Sequence, residues 1–212
     1  MIKANRKTLI ITSLLILLPI VFGVVMWNKL PEKMPTHFGV DGTPDSWSSK
    51  GFAVFGLPLI VLALDWFAVF VTEKDNKGKD QNKKIMTLVL WICPLICIGV
   101  SAAMYSWALG NEVNVKTVVV LLLGVIFTAI GNLLPKCKPN RTMGIRIKST
   151  LSSEENWNAT HRFAGRIWFA GGIVVLASAF LPNTAAAIVM LVTLLVMAVV
   201  PCVYSVRYKT KE

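Results

Sequence analysis

The chain has 212 residues, 55% of them hydrophobic and only 16% charged, with a mean hydropathy of +0.63. That balance excludes an ordinary soluble domain. A formal net charge of +11 would suit a nucleic-acid binder, but a membrane protein with its Lys and Arg gathered on one side accounts for it without direct nucleic-acid binding.

The apolar runs reach the roughly 20 residues that a spanning helix needs. Strand alternation is absent, so an all-α integral membrane protein is expected. Lys3, Arg6 and Lys7 precede a run from Leu9 to Trp27. With no small-x-small cleavage site and an interfacial Trp at its end, this run is expected to be a retained first span. A polar loop over 28–50 leads to a second span, Gly51 to Val71, containing Pro58 and Asp65. A charged linker at 73–84 separates this two-helix unit, 1–72, from a four-helix unit, 85–212. Further spans are expected at Ile85–Leu109, Thr117–Leu134, about Phe163–Leu181 and Ala185–Val206. All but Lys29, Lys33, Lys50 and Lys116 of the 22 Lys and Arg then fall on one side. The positive-inside rule gives six spans with both termini cytoplasmic. Cys93, Cys97, Cys137 and Cys202 are expected to be free, small buried hydrophobes.

Two polar stations interrupt the spans. The outer one, Leu30 to Phe52, is crowded with turn formers: Pro31, Pro35, Asp41-Gly42 and Thr43-Pro44-Asp45. They predict a compact cap with Ser48 or Ser49 starting the second helix. Its candidate binding residues are Pro35, Thr36, His37, Phe38, Gly39, Asp41, Gly42, Asp45, Trp47 and Lys50. His37, Asp41 and Asp45 match no metal-ligand spacing, so neither metal nor cofactor is expected.

The inner station, 135–165, is long for a mere connector. Its candidate docking or gating residues are Asn132, Pro135, Asn140, Gly144, Arg146, Leu151, Glu154, Trp157, His161 and Arg162. Ser152 and Glu155 have capping-box spacing. They predict a helix lying on the membrane surface, with Trp157 in the headgroups and a bend near Gly165 into the fifth span. Glu154, Trp157 and His161 share a helical face, open to an acid/base pair or a packing clamp. No nucleophile motif or H-E-x-x-H pattern is present, and no enzyme is expected. Asp65, alone inside a span, is open to two readings: transport or proton relay, or a hydrogen-bonded structural acid.

Both stations carry a resemblance. LPEKMPTHFGVDGTPDSWSSK is similar to a short two-helix domain of unknown function, and GNLLPKCKPNRTMGIRIKSTLSSEENWNATHRFAG resembles the signature of the SdpI family. The resemblance implies six spans in a bacterial cell membrane and immunity to a secreted, membrane-active peptide toxin. It further implies signal relay through a cytoplasmic DNA-binding repressor held at the membrane. Ile147-Lys148-Ser149-Thr150 departs from the aromatic Pro-Trp-Thr run usual in the family. A small transporter or flippase, and a membrane-embedded enzyme acting on a lipid phosphate, are the alternatives from other classes.

Overall fold

The computed structural model describes residues 2–39, 41–74, 82–111 and 113–208. Most of the charged linker lies in 75–81, outside the described residues. Helix α1 runs Ile2–Val25, α2 Leu57–Lys74, α3 Lys83–Ala108 and α4 Val115–Leu133. A short α5, Lys148–Ser152, precedes α6, Glu154–Ala177, and α7, Asn183–Arg207. Six of these helices, all but α5, are long and apolar enough to cross a membrane. Their outward faces carry exposed Leu, Val, Ile and Phe, as expected where lipid is the solvent.

The helix ends follow from local chemistry. Asn82 caps α3 by accepting from Lys84 N, and Asn114 caps α4 by accepting from Thr117 N. Pro135 sits in a 3-10 turn, Leu134–Lys136, that stops α4. Lys116 Nζ donates to Ala179 O at 3.2 Å and to Leu181 O at 2.9 Å, serving carbonyls that the end of the fifth span leaves open.

Packing divides the contacts. α1 lies against α2 and α3, with Tyr105 Oη donating to Pro19 O at 2.9 Å. α4 and α6 make the most extensive helix pair, and α7 packs on α6. At Gly131 and Gly172 the two helices of that pair touch backbone to backbone. A Cβ at Gly131 would lie 2.7 Å from Phe169 Cα, and one at Gly172 2.9 Å from Gly124 O. Close approach through small residues replaces the hydrophobic drive that lipid removes.

Two expectations are corrected. The outer loop contains strands after all: β1, Lys33–Phe38, pairs antiparallel with β2, Pro44–Ser49. Pro35 and Pro44 and a register shift around His37 break the alternation that would have revealed them. The second correction concerns residues 154–162, which do not form a separate surface helix. They continue unbroken into the fifth span as α6, and the N-cap is Ser153, accepting from Asn156 N at 3.2 Å, not Ser152. Ser152 is taken up by α5, and extended backbone at Ser153 separates the two helices.

Candidate functional site: two polar stations at opposite ends of the helices

The hairpin lies at one end of the bundle. Asp41 turns back to accept from Thr43 N at 3.0 Å and Thr43 Oγ1 at 2.8 Å, and Gly42 takes φ +81°. These two bonds hold the Asp41 carboxyl below the ordinary carboxylate range. Ser49 accepts from Phe52 N at 3.3 Å and so starts the second span. Met34 is fully buried against Leu30, Val54, Met104 and Tyr105, while Phe38 meets Trp107 edge-on at 6.4 Å. At the tip, Asn183 Nδ2 donates to Asp41 O at 2.6 Å. The hairpin is therefore held by the turn that follows α1, by the start of the second span, by α3 and by the first residue of α7.

Lys50, a candidate binder by sequence, is occupied structurally. Its ammonium donates to Trp27 O at 3.3 Å, Leu30 O at 3.2 Å and Glu32 Oε1 at 2.8 Å, and stands over the Trp27 ring. A cation on the carbonyls past the end of α1 suits the negative pole of that helix. The Glu32 carboxylate is 89% exposed, so the carbonyl bonds matter more than the ion pair. Lys50→Met is expected to cost about 2 kcal/mol by stranding those carbonyls, read as faster amide hydrogen exchange over 33–49. Unchanged exchange would refute the role.

Pro35 is also buried, and Thr36 Oγ1 shares a 3.0 Å hydrogen bond with Ser48 Oγ. His37, Asp41, Asp45 and Trp47 are exposed, with Gly39 and Gly42 half-buried beneath them. His37 Nδ1 pairs with Asp45 Oδ1 across the strands. Among the described residues no three His, Cys, Asp or Glu side chains gather as a metal-holding group.

The opposite end holds the second station. Asn140 is buried and ties its own loop: Oδ1 accepts from Thr142 N at 2.8 Å and Met143 N at 2.6 Å, while Nδ2 donates to Lys138 O and Met143 O. Arg146 Nη1 reaches back to Arg141 O at 2.6 Å. The loop so formed lies on α6. Trp157, 0% exposed, donates through Nε1 to Cys137 O at 2.7 Å and stacks on His161 with centroids 4.1 Å apart. It is not in the headgroups, because the 137–145 loop folds over it.

His161 Nε2 accepts from Ile145 N at 3.0 Å, leaving Nδ1 to carry the proton and donate to Trp157 O at 2.8 Å. Both ring nitrogens are thus spent on backbone, which is the clamp of the two open readings. Gly144, at φ +95°, runs directly against the His161 ring, where a side chain has neither the conformation nor the space. Glu154 does not join His161: it is exposed, as are Asn132, Pro135, Arg146, Leu151 and Arg162.

A second knot was not legible in the sequence. Asn156 Nδ2 donates to Ser205 O at 2.9 Å, and its Oδ1 accepts from Ser205 Oγ at 2.7 Å and Thr160 Oγ1 at 2.9 Å. Ser149 Oγ lies 2.7 Å from Ser205 Oγ, so α5, α6 and α7 meet there. Isolated Ser and Thr residues in apolar or polar runs give no spacing signal.

All four cysteines are free. Burial in the 137–145 clamp pushes the Cys137 thiol up to about 11. A variant retaining only Cys137 is expected to resist maleimide at pH 7 until the fold is opened with denaturant. Prompt labelling of the folded protein would contradict the clamp.

Asp65 is 2% exposed in α2, and its Oδ2 has no hydrogen-bond partner among the described residues. The Cys93 thiol of α3 is its neighbour.

Six apolar spans carrying a hairpin at one end and a clamped loop at the other define a multi-pass membrane protein. Residues 136–205 match the SdpI/YfhL protein family, and residues 14–62 match a domain of unknown function, DUF1648. The chain is also 24% identical to "Immunity protein SdpI" of Bacillus subtilis (strain 168) over 212 residues, 97% of each chain. The SdpI-family resemblance read from the sequence is thus matched over 136–205, and the similarity to an immunity protein covers 97% of the chain. No solved structure matches the chain.

Proposed function

We propose that this chain is a membrane immunity protein that protects its cell by binding a secreted, membrane-active peptide toxin. The observation that carries the reading is the end-to-end similarity to an immunity protein. In this reading both termini are cytoplasmic. The hairpin, with exposed His37, Asp45 and Trp47, meets the peptide outside. The 135–165 loop offers Arg146, Leu151, Glu154 and Arg162 to a cytoplasmic DNA-binding repressor. Helix α7 supports a coupling between the two stations, because Asn183 holds the hairpin tip and Ser205 the inner knot. A peptide that shifts the tip would load a packed helix whose far end sits in a polar network.

Expression in a toxin-sensitive strain tests the proposal. Wild type should restore growth, and His37→Ala with Trp47→Ala should reduce protection at equal membrane abundance. Lack of protection by wild type would refute immunity to that toxin. Full protection by the double variant would move peptide recognition away from the hairpin.

One observation favours a transport reading, the unpartnered Asp65 oxygen inside the spans. Asp65→Leu separates the two: transport requires loss of protection, whereas capture at the hairpin leaves it intact.

A further inference from the structure

Between α6 and α7, at the end of the bundle opposite the hairpin, a groove of about 590 Å³ opens toward the surrounding lipid. Its walls are Phe163, Val199, Val200, Val203 and Tyr204, and Arg207 stands at its mouth. Spacings of three and four place Val199, Val200, Val203, Tyr204 and Arg207 along one stripe of α7. From Val199 to Arg207 that stripe rises about 12 Å. The groove is therefore graded, apolar at depth and cationic at the end of the span.

The mouth is built from more than one arginine. Tyr204 stacks on Phe163 with centroids 4.2 Å apart and continues into Tyr208 at 5.9 Å. Arg162 precedes Phe163 on α6 and is exposed, and Arg166 follows one turn further along on the exposed side. The nearby acid, Glu155, is engaged by Tyr208 Oη at 2.8 Å. Among the described residues no carboxylate forms an ion pair with Arg162 or Arg207. Arg207 at the mouth of an apolar groove, with exposed Arg162 next to its Phe163 wall in the chain, awaits an anion joined to a hydrocarbon chain.

We infer that the α6–α7 groove is a binding site for an anionic phospholipid, its phosphate at Arg162 and Arg207 and one acyl chain along Phe163, Val200 and Val203. A peptide has no reason to place one negative group at that mouth and unbranched hydrocarbon beneath it. Phosphatidylglycerol has both, and its headgroup would sit at the depth where the span ends. Guanidinium forks suit phosphate oxygens better than ammonium groups do. Tyr204 and Tyr208, each with an apolar ring and a polar tip, belong at that level of a bilayer. The site lies beside the Asn156–Ser205 knot, so an occupied groove would brace α7 where it meets the inner loop.

The test uses the full chain in nanodiscs of mixed phosphatidylglycerol and phosphatidylcholine, with lipids retained after gentle extraction counted by native mass spectrometry. Wild type should retain phosphatidylglycerol in preference. Each of Arg162→Gln and Arg207→Gln should reduce that preference roughly fivefold. Val200→Trp should fill the groove and lower retention with the arginines intact. Lys83→Gln with Lys84→Gln, exposed basic positions at the start of α3 and away from the groove, should leave the preference unchanged. Equal retention of both lipids by wild type would overturn the site. So would a lysine pair as damaging as the arginines, since a diffuse basic surface would then suffice.

Discussion

Trp157→Ala is expected to lower stability by about 3–5 kcal/mol, the largest cost of any single truncation in the inner station. The indole is fully buried among Ile85, Leu133, Cys137 and Met143, so it joins the start of α3, the end of α4 and the loop to α6. Its removal leaves a cavity at that junction, strands Cys137 O, and takes away the ring on which His161 stacks. His161 would lose its packing while its two backbone bonds remained, so the 137–145 loop should loosen before the spans do. Thermal unfolding in detergent should show the shift, and trypsin should cut at Lys138 or Arg141 in the folded variant. Trp157→Phe keeps the stack and loses the N–H bond, so it should recover all but about 1 kcal/mol. A wild-type melting curve and trypsin resistance for Trp157→Ala would show that the clamp does not hold the loop.

Gly131→Val should be comparably damaging for a different reason. A Cβ at this position meets main-chain atoms, with Phe169 Cα and Trp168 C both at 2.7 Å, and backbone cannot rotate away as a side chain can. α4 and α6 would have to separate along the most extensive helix contact in the molecule. Overpacking of this kind costs about 3 kcal/mol, and the expected result is low membrane yield with early thermal unfolding. Gly51→Ala is the internal control: nothing lies within 4 Å of its added Cβ, so its stability should stay within about 0.5 kcal/mol of wild type. A stable Gly131→Val would mean that the α4–α6 contact is not fixed by backbone approach.

The two substitutions bear on the proposed relay. The clamp around Trp157 and the Ser205 knot position the exposed face of Arg146, Leu151 and Arg162, and both ring nitrogens of His161 are taken up within the clamp. His161, the residue type most suggestive of chemistry, instead holds a loop. In the proposed relay, the exposed residues around it are the ones a partner would meet.

The sequence by itself determined the six spans, because a bilayer leaves the backbone no alternative to helix and the apolar runs are long enough to be counted. It also located both stations, since turn formers and charges are costly within hydrocarbon and gather where the chain emerges. Which polar residues stay exposed was decided only by the tertiary structure. Lys50, Trp157 and His161 looked available in the sequence, yet each is buried in contacts to carbonyls, amides or rings distant in the chain or brought in by a loop. Ser149, Asn156 and Ser205 looked unremarkable, and packing α5, α6 and α7 together joined them into one network. The hairpin belongs to the same class. Its prolines hide the alternation, and its pairing depends on a partner strand and on Met34 finding a pocket among helices that the local sequence does not contain.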